Sequence, residues 1–166
     1  MGGLRTTVNA IHQNGGIGIK IPRAAALDVQ AWTTIYAVTG GVVLVTGLVG
    51  VRTVNQAGAL STMQFRHSIA TTVLCVPFLV AGDLANTLYT ITGNPNDPLI
   101  SGAAGLPIQG GMMGSPAVLA QQQWGVLMFT GNIQVNFTVV TGGQCRYILT
   151  YIPVDAGATV AAVPNP

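Results

Sequence analysis

The most regular pattern in this chain of 166 residues is the run Ile133-Gln134-Val135-Asn136-Phe137-Thr138-Val139. Apolar and neutral polar residues alternate with a period of two, so an extended segment has one apolar face and one hydrophilic, uncharged face. The alternation resumes after Gly142-Gly143, and its apolar positions are Cys145, Tyr147, Leu149 and Tyr151. The pattern predicts two amphipathic β-strands joined by a glycine turn.

Residues 124–130 precede these strands through Gly131 and complete a predicted three-stranded antiparallel meander. Segments rich in Val, Ile, Thr and aromatic residues, separated by glycine, predict further strands. These segments are 32–38, 42–46, 48–54, 63–67, 69–76 and 87–92. Ile17, Ile19 and Ile21 indicate a short strand that ends at Pro22, and alanine-rich residues 24–31 suggest one or two helical turns.

Nine or ten short strands with glycine turns and little helix predict an all-β fold. We expect an antiparallel β-sandwich, jelly roll or barrel with an extended amino-terminal arm. The predicted organisation is an arm over 1–16, a β domain over 17–153 and a carboxy-terminal tail over 154–166. A Gly/Pro-rich loop over 97–123 belongs to the β domain, and loops of that length are usually functional or ordered by a partner.

Charged residues make up only 6 % of the chain, against roughly 25 % in an ordinary soluble domain. The six basic residues are scattered, which argues against nucleic acid as a partner. The four acidic residues are widely spaced aspartates, and His12 and His67 have no second donor at ligand spacing. We therefore expect neither an enzyme nor a bound metal or other cofactor.

So little charge requires that the surface be covered either by lipid or by other protein chains. The run Val29–Val51 holds 23 uncharged residues, enough for a membrane span, but its threonines, glycines and β-branched residues favour strands. Residues 98–145 are also uncharged but contain many Asn and Gln side chains, which do not suit lipid. Neutral polar groups lose less on desolvation than charges do, so this composition indicates a subunit of an assembly.

The amino terminus lacks the apolar core of a signal peptide, so we expect synthesis and use without membrane passage. Cys75 and Cys145 both lie in apolar strand patterns. In a reducing cytoplasm we expect two buried thiols, although the sequence leaves a disulfide bridge between them open.

Three segments in the same order along residues 30–160 resemble small structural proteins of tailed bacteriophages, among them capsid decoration (cement) proteins. They are Val45-Thr46-Gly47-Leu48-Val49-Gly50, Leu88-Tyr89-Thr90-Ile91-Thr92-Gly93 and Arg146-Tyr147-Ile148-Leu149-Thr150-Tyr151-Ile152-Pro153-Val154-Asp155-Ala156-Gly157. This chain carries Val51 where that family usually has an acidic residue after the glycine. The resemblance implies a non-enzymatic virion protein, assembled in the host cytoplasm, that binds the outer surface of the capsid as a homotrimer or other homo-oligomer.

The major capsid protein and further copies of the chain are the expected partners, with no role for nucleic acid or membrane. We expect the arm and the long loop to make these contacts. The candidate contact residues are Leu4, Arg5, Ile11, Ile17, Ile19, Ile21, Leu99, Ile100, Leu106, Ile108, Met112 and Met113. A tail or baseplate subunit is the first alternative, followed by a membrane protein and a carbohydrate-binding module.

Overall fold

The computed structural model describes residues 18–56, 60–69, 72–102, 125–139 and 142–164. Eleven strands lie in these ranges: β1 Ile19–Leu27, β2 Thr33–Thr39, β3 Val43–Val54, β4 Thr62–His67, β5 Phe78–Leu79, β6 Leu88–Thr90, β7 Ile100–Gly102, β8 Val126–Met128, β9 Gly131–Phe137, β10 Gln144–Pro153 and β11 Thr159–Ala162. No helix occurs among the described residues, which confirms the all-β prediction.

The strands form two antiparallel sheets. Sheet A has the order β1-β10-β3-β6-β7, with β8 lying beside β6 along the same edge of the long strand β3. Sheet B has the order β11-β2-β9-β4-β5. Because the strands form two separate sheets, the architecture is a sandwich, one of the three that were predicted.

The two sheets pack through the apolar positions of their alternating strands. Phe65 of sheet B meets Tyr147 of sheet A edge to face, with ring centroids 6.0 Å apart. The Tyr36 hydroxyl of sheet B donates a hydrogen bond of 3.1 Å to the Ile21 carbonyl of sheet A. The fully buried side chains include Ile35, Val43, Val45, Leu48, Met63, Phe65, Tyr89, Ile133 and Leu149.

The alternation predicted for β9 and β10 is confirmed. Ile133, Val135 and Phe137 of β9 are buried, and so are the apolar positions that were predicted for β10. The predicted meander is wrong, because β9 pairs with β2 and β4 in sheet B, while β8 and β10 both pair with β3 in sheet A. The apolar faces of β9 and β10 therefore meet across the core instead of lying side by side in one sheet.

Two local predictions for the first strand are wrong. β1 continues through Pro22, which is exposed on a terminal strand of sheet A where a missing amide hydrogen disrupts little. Residues 24–27, expected to be helical, belong to the same strand, and a register shift between Arg23 and Ala26 accommodates them beside β10. Pairing with a long neighbouring strand outweighs the weak helical preference of three alanines.

Further corrections concern where strands begin and end. The two strands expected over 42–46 and 48–54 are one strand, β3, which passes through Gly47. In the described part of 69–76, Val73 makes an isolated bridge to Arg66, and no strand forms there. The expected carboxy-terminal tail contains β11, which pairs with β2, and the short strands β5 and β7 were not predicted.

Both cysteines are buried free thiols, as expected. Cys75 is 1 % exposed and Cys145 is 0 % exposed. Burial raises the pKa of Cys75 to about 11 and that of Cys145 to about 12, because a thiolate would be poorly solvated in the core.

We expect neither thiol to react with a thiol-specific reagent in the native protein, and both to react after denaturation, since only an accessible thiolate is nucleophilic. Spectrophotometric thiol titration measures this directly. A Leu84→Cys variant is the positive control, because Leu84 is 56 % exposed, and its new thiol should be modified at once. Rapid native modification of the unsubstituted chain would contradict the burial of these side chains.

Candidate interaction surfaces

The outer face of sheet B is mostly polar and nearly free of charge. Along β9, Asn132, Gln134 and Asn136 point away from the core. Threonine pairs join neighbouring strands: the hydroxyls of Thr39 and Thr159 are 3.0 Å apart, and those of Thr62 and Thr138 are 3.2 Å apart. These cross-strand pairs satisfy the side chains without using ionised groups.

Arg66 is the basic residue on this face, and its guanidinium is held in place. The Nε atom donates to Gln134 Oε1 at 2.8 Å, and Gln134 Nε2 in turn donates to Thr34 Oγ1 at 3.4 Å. The guanidinium carbon lies 4.1 Å from the centroid of the Trp32 ring, a close cation–π stack. The arginine therefore covers one face of the indole.

The outer face of sheet A is apolar at one end. Leu44 of β3 pairs with Leu127 of β8 on one side and with Ile152 of β10 on the other, so the three form one row across the sheet. In the next row, the Val154 amide donates to the Val42 carbonyl at 3.0 Å, and Phe129 follows directly on β8. We call Leu44, Leu127, Phe129, Ile152 and Val154 the apolar patch.

Three members of the apolar patch are strongly exposed: Leu127 by 61 %, Phe129 by 64 % and Val154 by 55 %. Sequence reasoning missed Leu127 and Phe129 because residues 124–130 are apolar at nearly every position. Without polar residues in alternation, nothing in that stretch distinguishes the inward face of a strand from the outward face.

Of the predicted contact residues, four lie in the described part of the chain. Ile19 and Ile21 are half-buried in β1 and pack against the core, and Ile100 is half-buried on β7, the last strand of sheet A. Leu99 is 2 % exposed, so its own chain covers its side chain and leaves it unavailable to a partner. The remaining eight lie outside the described residues: Leu4, Arg5, Ile11, Ile17, Leu106, Ile108, Met112 and Met113.

Asp28 and Arg52, 24 positions apart, form an ion pair in the core. Both side chains are fully buried, with Arg52 Nη1 donating to Asp28 Oδ2, and the guanidinium carbon lies 5.5 Å from the Phe137 ring centroid. Gly143 packs directly over the pair, and a Cβ there would lie 2.6 Å from Asp28 Oδ2. Burial raises the pKa of the Asp28 carboxyl, and the neighbouring Arg52 charge offsets part of that effect.

The ion pair is incompletely hydrogen-bonded: Arg52 Nε, Arg52 Nη2 and Asp28 Oδ1 have no partner among the protein atoms. The complete burial of both side chains suits a structural role. No group of three or more His, Cys, Asp or Glu side chains suited to a metal ion occurs in the described ranges. Those ranges also contain no helix with the length and apolar character of a transmembrane span.

Comparisons with protein-family models, curated proteins and solved structures find no match to this chain. The fold is a two-sheet antiparallel sandwich with one neutral polar outer face and one partly apolar outer face.

Proposed function

We propose that this chain is a non-enzymatic structural protein of a virus particle: a decoration, or cement, protein on the outer surface of a tailed-phage head. In this role it binds the major capsid protein and further copies of itself, and it stabilises contacts between capsomers. It is located in the virion after assembly in the host cytoplasm.

The observation that carries the proposal is the distribution of the few charges. Of the nine charged residues in the described ranges, Arg23, Asp28 and Arg52 are buried. Lys20, Arg146 and Asp155 are exposed, and Arg66, Asp83 and Asp97 are half-buried. Each outer face therefore presents mostly threonine, amide or aliphatic groups to its surroundings.

Such a surface favours burial against other proteins. Desolvating a neutral amide or hydroxyl costs much less than desolvating a charge, and a partner can restore its hydrogen bonds. Many copies that each add an interface of ordinary size reinforce a shell collectively, since separating one capsomer then breaks several contacts.

A tail or baseplate subunit remains the second candidate, because the same uncharged faces would serve rings or tubes. A carbohydrate-binding module is less well supported. Sugar rings stack on open aromatic faces, whereas Arg66 stacks on one face of Trp32. Val29–Val51 contains β2 and most of β3, so that run forms strands and not a membrane-spanning helix.

The location of the protein in purified particles tests the proposal. Heads and tails from the phage that encodes this chain are separated, each fraction is analysed by mass spectrometry, and the heads are imaged by electron cryomicroscopy. We expect the chain in the head fraction, with two-sheet density on the outer shell. Presence in the tail fraction alone, or absence from particles, would overturn the assignment.

A matched pair of variants tests whether the polar face of sheet B is buried on the capsid. Asn136→Asp places a charge on that face, whereas Asn96→Asp makes the same change in the exposed turn before β7. We expect Asn136→Asp to weaken binding to heads at least about tenfold, since desolvating an unpaired charge costs well over 1.4 kcal/mol. Asn96→Asp should bind like the unsubstituted chain, and equal affinities of the two variants would exclude this face from the interface.

A further inference from the structure

The apolar patch on sheet A lies beside the point where the amino-terminal arm joins the fold. Gly18 is the first described residue, and a Cβ at that position would lie 3.2 Å from Ile152 Cγ1, a member of the patch. Ile19 then pairs with Tyr151 as β1 begins. The chain therefore enters the described fold at the end of sheet A that carries the patch.

The arm and the patch are chemically complementary. Residues 1–16 contain the aliphatic residues Leu4, Val8 and Ile11, and Arg5 is the one Lys, Arg, Asp or Glu residue among them. The patch is aliphatic and aromatic, and Asp155, which follows Val154, is an exposed acidic residue at its border. Burying the three strongly exposed patch side chains would remove their apolar surface from water, which is favourable.

We propose that the apolar patch binds the arm, residues 1–16, of a second copy of this chain. The inference rests on the proposed function in one respect: copies of the chain must lie next to one another in an assembly. An arm of 16 residues can extend about 50 Å, and the patch spans two strand spacings, roughly 10 Å, so a neighbouring copy is within reach.

When two copies are related by a two-fold axis, each arm covers the other copy's patch and the pair closes. Head-to-tail exchange is instead a heterologous contact, which closes into a ring when the rotation between copies permits. Each copy then covers its neighbour's patch. In this arrangement the exposed Leu127 and Phe129 side chains are covered, which removes apolar surface that favours aggregation.

Cross-linking between full-length copies tests the proposal. A donor carrying Ala10→Cys and a mass tag is mixed with an acceptor carrying Leu127→Cys, and the mixture is oxidised gently. The reference acceptor carries Ala161→Cys, an exposed position on the outer face of sheet B. The native thiols are buried and should not compete. We expect at least tenfold more donor–acceptor product with Leu127→Cys than with Ala161→Cys.

A second measurement uses no added cysteine. Phe129→Gln in the full chain should shift the self-association midpoint to at least tenfold higher concentration in sedimentation experiments, whereas Leu79→Gln, exposed on sheet B, should leave it unchanged. Equal cross-linking at the two acceptor sites would overturn the proposal. So would a disulfide formed only within single chains when Ala10→Cys and Leu127→Cys are combined in one molecule.

The two proposals fail in different ways. Cross-linking at Leu127→Cys by a protein that is absent from heads would support arm exchange and refute the decoration role. Head binding without that cross-link would support the decoration role and refute arm exchange.

Discussion

Replacing Arg52 with methionine is expected to lower the free energy of unfolding by about 3–5 kcal/mol at pH 7, because it leaves the Asp28 carboxylate buried without its counter-charge. The guanidinium also packs over the rings of Phe137 and Tyr89, so the substitution removes contacts as well as charge. Urea unfolding followed by tryptophan fluorescence measures the loss. Arg146→Met, on the exposed face of β10, is the matched control and should change stability by less than about 0.5 kcal/mol.

The pH dependence of the Arg52→Met variant identifies the cause of its instability. Without Arg52, the pKa of the buried Asp28 carboxyl rises further above its unfolded value. A group with a raised folded pKa favours folding below its unfolded pKa, and that contribution is lost as the pH rises through the folded pKa. The variant should therefore recover stability relative to the unsubstituted chain as the pH falls from 7 towards 4.

Removing both partners should be far less damaging than removing one. The double variant Asp28→Leu/Arg52→Met eliminates both charges together with the polar atoms that lack partners. Replacement of a buried ion pair by apolar side chains of similar volume is often neutral or stabilising. If Arg52→Met proves as mild as Arg146→Met at pH 7, the ion pair is not a stabilising contact of the native core.

The ion pair also shows where sequence reasoning stops. Asp28 and Arg52 bound the uncharged run Val29–Val51 and look like its solvated ends. Their contact depends on strand order: β10 lies between β1 and β3, pairing Ala26 with Cys145 and Cys145 with Arg52. No local pattern specifies that order, because period-two alternation determines which face is buried and not which strands are neighbours.

The same distinction explains why the buried faces of the carboxy-terminal strands were predicted correctly and their pairing was not. The alternation in β9 and β10 predicted their buried faces because each has its inward face against the core. The meander failed because consecutive strands joined by short turns can either pair in one sheet or cross to the other. Here β8, β9 and β10 alternate between the two sheets, and both arrangements bury the same residues.

The sequence predicted the chemical composition of the interaction surfaces but not their positions. The scarcity of charge indicated that uncharged surface would be exposed, and the structure separates it into the threonine and amide face of sheet B and the apolar patch of sheet A. Assigning Leu99 to a contact surface failed because an apolar residue near a Gly/Pro-rich segment can equally well anchor that segment in the core. In the fold it is buried together with Ile91 and Val80.

Alkaline pH should unfold the protein steeply, starting near pH 9. The ordinary thiol pKa of 9.0 is raised to about 11 for Cys75 and to about 12 for Cys145, because both thiols are buried. Burial also raises the pKa of Tyr36, Tyr89 and Tyr147 above the ordinary tyrosine value. Each group is thus protonated in the folded chain at a pH where the unfolded chain has released the proton.

The sign of the effect follows from proton binding. Above pH 9 the folded state holds more protons than the unfolded state, so stability that is fully present below pH 9 is lost as the pH rises through the folded values. With one pKa unit equivalent to 1.36 kcal/mol, the two thiols alone withdraw about 6 kcal/mol by pH 12. That is comparable to the total stability of a typical domain, roughly 5–15 kcal/mol.

Urea midpoints measured between pH 9 and 10 distinguish the contribution of the thiols from that of the tyrosines. In the unfolded chain a thiol ionises about one pH unit below a tyrosine hydroxyl. In this window the unsubstituted chain should lose stability more steeply than Cys75→Ala/Cys145→Ala, by about 2 kcal/mol per pH unit. The comparison concerns slopes, so any packing loss that the alanines cause at pH 7 does not affect it. Parallel slopes for the two proteins would mean that the thiols ionise equally well folded and unfolded, which is incompatible with their burial in the core.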